Sequence, residues 1–400
     1  MIVASVEVEP ACPDELPSQA PAPAGARRLR VERRPFDSIL RAAWDRLAAA
    51  NAWATPFSSW PFQRAWWDAY GSNAHEQTLA IVDEEGALVA IAPLMHRHQV
   101  EPSDAATHTT LRHGHPPHLT PVTPTAKTIF FGASYHADYA TILGDTDQSA
   151  EIAEALAAHL ADEAGADRDH PEPWDAIDLR RLRCGDPFAD ALAGAFGRRE
   201  IGHGWTLNVE REDVCPVVTL PEQEGWDAYL ATLDKKERHE IRRKLRRAEE
   251  VGPVVLAEAA DPLAELDAFV ELHQRRWGDD GLFPNTPGGE QSRTLFRRLF
   301  ELFESNGPLR LTFLTVNDRR IAAGIHFETD DGYLYYNAGI DPAARDLSPG
   351  VVMTARFIQL AIAAGKRRVD FLRGDEDYKY DWGAVDEPIQ RILVRHEAAS

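Results

Sequence analysis

Apolar positions along this chain recur with two different periods. Over about 37–50 and over 60–70 they return every three or four residues, the period of an amphipathic helix. The runs Thr78-Leu79-Ala80-Ile81-Val82 and Leu88-Val89-Ala90-Ile91-Ala92 then read as strands around the turn Asp83-Glu84-Glu85-Gly86. Helical Ala/Leu patterning returns over 151–163, and Ala176-Ile177-Asp178-Leu179 reads as a short strand. The first half therefore predicts a mixed α/β arrangement in which a helix feeds a hairpin.

The second half repeats that pattern. Phe62-Gln63-Arg64-Ala65-Trp66 and Phe296-Arg297-Arg298-Leu299-Phe300 lie 234 positions apart, and the same offset lays Val82-Asp83 over Val316-Asn317. The next strands, Leu88 to Leu94 and Ile321 to Phe327, correspond after an adjustment of one residue. Agreement over both the helical and the strand period predicts a duplicated helix-plus-hairpin unit. Further on, Leu311 to Val316, Ile321 to Phe327 and Tyr333 to Ile340 predict a three-stranded antiparallel meander. Val351, Ala355, Ile358 and Ile362 then share one helix face, and Gly365 precedes a strand at Val369 to Leu372.

At 400 residues the chain exceeds what one core ordinarily organises, so two domains are expected. The proline-rich stretch 11–26 reads as part of a flexible leader over 1–28, followed by an N-terminal domain over 29–205 and a C-terminal domain over 206–396. A hydrophobic content of 44%, with 10 Trp, 9 Tyr and 16 Phe, is enough to bury cores rather than leave the chain disordered. The formal charge of −21 opposes non-specific binding to DNA or to an anionic membrane. No run approaches the roughly 20 apolar residues of a bilayer span and no secretion signal is visible, so a cytoplasmic protein is expected, as a monomer or homodimer.

The connection Arg345-Asp346-Leu347-Ser348-Pro349-Gly350 is the best candidate for anion binding. Ser348 suits a helix cap, Pro349 the first turn and Gly350 a close backbone approach, with Val351 following, while Arg345 adds a positive charge. A second dense segment, Asp375 to Trp382, follows a strand and holds carboxylates, tyrosines and Lys379 within eight residues. A third is basic: Lys235 to Arg247 carries eight Lys/Arg, with Ile241, Leu245 and Ala248 as a packing stripe. Arg242 on its outer face could meet an anionic substrate.

Together with Ile321-Ala322-Ala323-Gly324-Ile325-His326-Phe327, Tyr335-Tyr336-Asn337-Ala338-Gly339 and Phe371 to Trp382, these segments resemble the GNAT superfamily. The resemblance is nearest to its cellulose-biosynthesis-associated (CelD-like) acetyltransferases and to FemAB-like transferases. It is strongest over 226–396 and extends to the first half through Pro56-Phe57, Trp60 to Trp67 and Phe131-Gly132-Ala133-Ser134-Tyr135-His136-Ala137-Asp138-Tyr139. It implies tandem GNAT-like domains, each a central, mostly antiparallel sheet flanked by helices, the first on the acceptor side and the second holding the acyl donor. Ser348 departs from the family's loop, where a glycine is common.

The activity so implied is N-acyl transfer, with an acetyl group as the expected acyl, from acyl-CoA to a primary amine in a ternary complex. The acceptor could be an amino sugar, an amino acid or a cell-envelope precursor. An aminoacyl-tRNA-dependent FemAB-like transferase is the nearest alternative, and a non-enzymatic scaffold the more remote one. An ammonium must lose a proton before it attacks a thioester, which calls for a carboxylate or a water relay. Asp375 is the first choice, with His326 and Glu328 as alternatives on one strand face, Tyr378 as the acid for the departing thiolate, and Lys379 close by. Substrate contacts are expected at Tyr335, Asn337, Trp382 and Arg242. His96, His98, His108, His113, His115, His118 and His136 lack ligand spacing, and Cys12, Cys184 and Cys215 lie far apart, so no metal is expected.

Overall fold

A computed structural model describes residues 28–97, 119–165, 174–222, 225–304 and 307–396. All but the last residue of the leader expected over 1–28, and five of the histidines named above, His98 to His118, lie outside the described residues. The chain forms two compact units, one made of the described residues up to Val214 together with those from Asp386 onward, the other of Cys215–Val385.

In the first unit β1 (Arg30–Arg33) leads through helices α1 (Arg41–Ala49) and α2 (Trp60–Tyr70) to β2 (Leu79–Val82) and β3 (Leu88–Ala92). Strand β2 lies between β1 and β3 and is buried at all four positions, which explains its unbroken apolar run. Leu79 and Ile81 pack into a core with helices α3 (Ser149–Gly165) and α4 (Pro187–His203). Ile91 and Leu143 instead join Phe36, Trp44 and Leu47. Leu143 belongs to β4 (Leu143–Gly144), antiparallel to β3. Strand β5 (Ala176–Arg183) follows α3, and Ala140 bridges its Leu182 in parallel.

Strand β6 (Trp205–Thr219) leads into the second unit, which continues with α5 (Lys235–Val251), β7 (Val254–Glu258), α6 (Pro262–Trp277) and α7 (Pro287–Leu302). The meander β8 (Leu309–Val316), β9 (Arg319–Glu328) and β10 (Gly332–Ile340) follows, then α8 (Pro349–Ala363) and β11 (Arg368–Asp370). The strand order is β7-β8-β9-β10-β11-β6, antiparallel throughout except for the parallel pair β10/β11. The class is mixed α/β, sheets flanked by helices.

The internal repeat is real at the level of register. The order strand, helix, helix, strand, strand recurs as β1-α1-α2-β2-β3 and β7-α6-α7-β8-β9. Val82 stands opposite Arg30 and Val316, 234 positions on, opposite Val254, each partner being the first residue of its strand, so the middle strands keep the offset while the leading strands lie 224 apart. The next strand needs a shift of three residues rather than one: Leu79 faces Ala92, while Phe313 faces Ala323. The cause is loop length, since the first hairpin turns through Asp83–Ala87 and the second through Asn317-Asp318 alone. Both of those residues take positive φ, 48° and 62°, the conformation a two-residue hairpin needs.

The last strand, β12 (Val385–His396), was not legible in the sequence. It pairs antiparallel with β5 of the first unit, Ile389 opposite Arg183 and Val394 opposite Ile177, and adds Ile392 and Val394 to that core. In the second unit the edge of β11 is covered by the end of β6, with Arg368 opposite Thr219 and Asp370 opposite Val217.

Candidate functional site

The sheet of the second unit opens between β10 and β11. The two strands pair only at Gly332–Arg368, Tyr333–Val369 and Leu334–Asp370. Strand β10 runs on to Ile340, whereas β11 has ended and the chain turns off through Phe371–Gly374. At the same level the ladder between β9 and β10 is interrupted. Ile325 faces Asn337 and His326 faces Tyr335, so Tyr336 is the extra residue of a bulge, which bends the strand and re-aims its neighbours. Tyr335 and Asn337 thus flank the bulge where the strands part. The Tyr335 ring meets Phe371 at 6.1 Å, and Phe371 meets Tyr378 at 6.3 Å, forming an aromatic row.

Beyond Ile340, Asp341 caps a 3-10 turn over Pro342–Leu347 by accepting from the Ala343 amide, and helix α8 begins. Ser348 does not cap it with its side chain as the sequence led us to expect. It adopts a left-handed backbone, φ 52° and ψ 55°, and its carbonyl accepts from the Val352 amide at 3.0 Å. That conformation is the one glycine reaches most easily, so serine here keeps the geometry of a glycine position. Pro349 has no N–H, and the first-turn amides of Gly350 and Val351 have no carbonyl one turn earlier to receive them. A Cβ placed on Gly350 would meet no atom within 4 Å, so this helix end is open. Arg345 is exposed beside it.

The segment after β11 divides into braces and exposed groups. Lys379 is 3% exposed, and its ammonium donates to the carbonyls of Leu372 at 3.0 Å, Arg373 at 3.0 Å and Gly374 at 2.8 Å, with Glu376 at 2.9 Å. Every hydrogen on that nitrogen is committed to holding the loop. Trp382 is buried in the core, and its carbonyl accepts from the Tyr229 hydroxyl at 2.7 Å, so it supports the loop rather than facing a substrate. Asp375 is also buried. Tyr378 is 43% exposed, yet burial of its hydroxyl end and then the Glu376 carboxylate push its pKa up, the behaviour of a side chain lining a concavity. Burial likewise pushes up Tyr335.

His326 and Glu328 share the expected face of β9 but not the expected environment. His326 is 1% exposed, packed between Tyr333 at 5.1 Å and Phe357 at 4.7 Å, and neither ring nitrogen has a hydrogen-bond partner. Burial, with Arg310 adding to it, lowers its pKa to about 3. Glu328 is ion-paired to Lys366 at 3.1 Å and Arg310 at 3.5 Å. Arg242 pairs with Asp227 at 3.1 Å. Neither His326 nor Glu328 is poised as a free base.

Sequence reading missed helix α6. Its backbone lies so close to β10 that a Cβ on Gly339 would come within 2.4 Å of the His273 nitrogen, so only glycine admits the contact. His273 is buried, which lowers its pKa to about 4, and packs on Phe283 at 5.0 Å. The charge of Arg276, on the same helix, is felt by His273, Tyr335 and Tyr378 alike. The period of Leu266, Phe269, Leu272 and His273 was the available signal for this helix. Among the described residues no group of three or more His, Cys, Asp or Glu could hold a metal ion, and no helix is long and apolar enough to cross a membrane.

Comparison with known proteins adds the family context. Residues 235–380 match the family model described as an acetyltransferase (GNAT) domain. That stretch runs from α5 to the Tyr378 loop and includes the open helix end. Curated protein sequences give no match. Among solved structures the chain is similar to FemX, with a TM-score of 0.55 and 12% identity over 90% of this chain and 96% of that one. It is also similar to a conserved protein of unknown function from Bacteroides thetaiotaomicron VPI-5482, with a TM-score of 0.52 and 13% identity over 89% and 98%. At such identities the likeness shows a shared fold.

Proposed function

We propose that this protein is an N-acyltransferase that moves an acyl group, acetyl first among them, from acyl-CoA to a primary amine. The observation that carries the reading is the open amide end of α8 next to the parted strands β10 and β11, within the stretch that matches the acetyltransferase domain. The exposed amides of Gly350 and Val351, the positive helix end and Arg345 would receive the donor's diphosphate. The free edge of β10 beyond Leu334 offers backbone partners to the amide-bearing arm of the donor and leads its thioester toward Tyr335, Asn337 and the bulge.

The amine nitrogen then attacks the thioester carbonyl carbon, forming the C–N bond and breaking the C–S bond. Asp375, directly or through a water, takes the proton the ammonium must lose, and Tyr378 gives a proton to the departing thiolate. Tyr378 is the choice for the second task because it is a phenol at neutral pH that lies in the aromatic row at the opening, beside Phe371. Lys379 positions both by fixing the loop that carries them. The second proton, shed by the nitrogen as the C–S bond breaks, returns through water to the Tyr378 phenolate, so the products are an amide and free CoA, with one proton left on Asp375 to pass to solvent.

A donor screen read by mass spectrometry tests this, with acetyl-CoA, longer acyl-CoAs and charged tRNAs offered separately to a pool of small amines. Acylated amine with acetyl-CoA supports the reading, and transfer from charged tRNA alone overturns it. Asp375→Asn should lower kcat by roughly 100-fold to 10,000-fold, the usual range for a lost general base, with little change in the donor Kd. An unchanged kcat would remove Asp375 from the mechanism. The tRNA reading draws on α5, but much of that basic face is already paired: Lys236 with Glu237, Arg242 with Asp227, Arg243 and Lys244 with Glu240, and Arg247 with the Asp346 carbonyl.

A further inference from the structure

Two arginines end helix α6 side by side and differ in their partners. Arg275 pairs with Glu271 at 2.5 Å and reaches Asp341 at 4.0 Å. Arg276 is exposed and meets no carboxylate among the described residues; its guanidinium lies over the Trp277 ring, 4.5 Å from the centroid. With one face of its guanidinium on Trp277 and no carboxylate at ion-pair distance, Arg276 keeps its N–H donors for a ligand.

Its place on the helix gives its direction. Phe269, Leu272 and His273 are buried positions of α6, and Arg276 lies four and three residues beyond the last two, on the face that presses on β10 at Gly339. Gly339 lies in the stretch of β10 that β11 no longer pairs, so that face of α6 borders the parted strands, and the charge of Arg276 acts on Tyr335 and Tyr378 in the same direction. The phosphates of a donor already have the end of α8, so the guanidinium is left for the other substrate.

We infer that Arg276 binds an oxyanion, a carboxylate or a phosphate, carried by the acceptor amine. The acceptor is then an amino acid, a peptide or a phosphorylated amine rather than a neutral amino sugar. This rests on the acyltransferase reading above.

Three amine pairs that differ in their acid test it on the full chain: β-alanine against β-alaninamide, L-lysine against L-lysinamide, and phosphoethanolamine against ethanolamine. Each is measured twice, by calorimetric Kd without donor and by acceptor KM with acetyl-CoA. The expected result is at least about tenfold tighter binding of the acidic member in one pair or more, the scale of a charge-assisted contact. Arg276→Gln should erase that preference, Arg276→Lys should restore part of it, and the donor KM should stay put. The first two pairs report a carboxylate, the third a phosphate. Equal affinity within all three pairs, or a change confined to the donor KM, overturns the proposal. If no amine is acylated, the activity reading fails, while the calorimetric comparison still decides Arg276.

Discussion

An ammonium has three hydrogens to donate, and Lys379 directs its own into the carbonyls of one loop while staying out of water. Removing it strands several buried acceptors and Glu376, so Lys379→Met should cost about 3 kcal/mol of stability by chemical denaturation. A loss below about 1 kcal/mol would mean the brace is dispensable. His326 makes the opposite case, a buried polar ring with nothing to bond. Its folded pKa of about 3 lies below the ordinary 6.5, so below pH 6.5 the unfolded chain takes up a proton that the folded chain refuses. The associated stability is complete above 6.5 and is lost as pH falls toward 3, by up to about 1.4 kcal/mol per pH unit. His326→Phe should therefore flatten the decline between pH 6 and 4, and an unchanged slope would contradict the burial argument. The residue types at this site were legible in the sequence. What they face was not, because the same alternation that puts His326 and Glu328 on one face cannot tell a catalytic face from one packed on Phe357.

At the scale of elements, legibility followed periodicity. Helix α2 and the meander were readable because their apolar period is unbroken and their turns carry Gly, Asn or Asp. Strand β12 was not, because Val385-Asp386-Glu387-Pro388 opens it with polar residues and a proline, and Arg391 interrupts its apolar run. Arg391 is nevertheless 1% exposed, with Asp178 at 2.6 Å and Glu210 at 3.1 Å, a pairing only the fold supplies. The start of α8, where the donor is proposed to bind, carries a Ser-Pro-Gly signature, though Ser348 acts there through its backbone rather than its hydroxyl. Because the space at Gly350 is empty, Gly350→Glu should fold normally. A carboxylate there even suits the helix dipole by about 0.3 to 1 kcal/mol. It should also repel a diphosphate and weaken donor binding at least about tenfold. Stability retained with donor affinity lost is a pairing that a misfolded variant would not give.

For the whole molecule, the repeat raises the question of whether both units take a donor. Helix α3 of the first unit follows β4 and precedes β5, as α8 follows β10 and precedes β11. Its entrance, however, is acidic. Asp145 accepts from the Asp147 amide just before α3, and Glu151 lies in the first turn. These carboxylates would oppose a phosphate at that end, so under the proposed function no second donor is expected there. The chain should bind donors with a stoichiometry of one.

Calorimetric titration of the full chain with acetyl-CoA, repeated on Gly350→Glu, tests this most directly. The account predicts one molecule bound per chain in the native protein and binding at least about tenfold weaker in the variant, with both equally folded by circular dichroism. Two molecules bound, none bound, or equal affinity in the two proteins would contradict it.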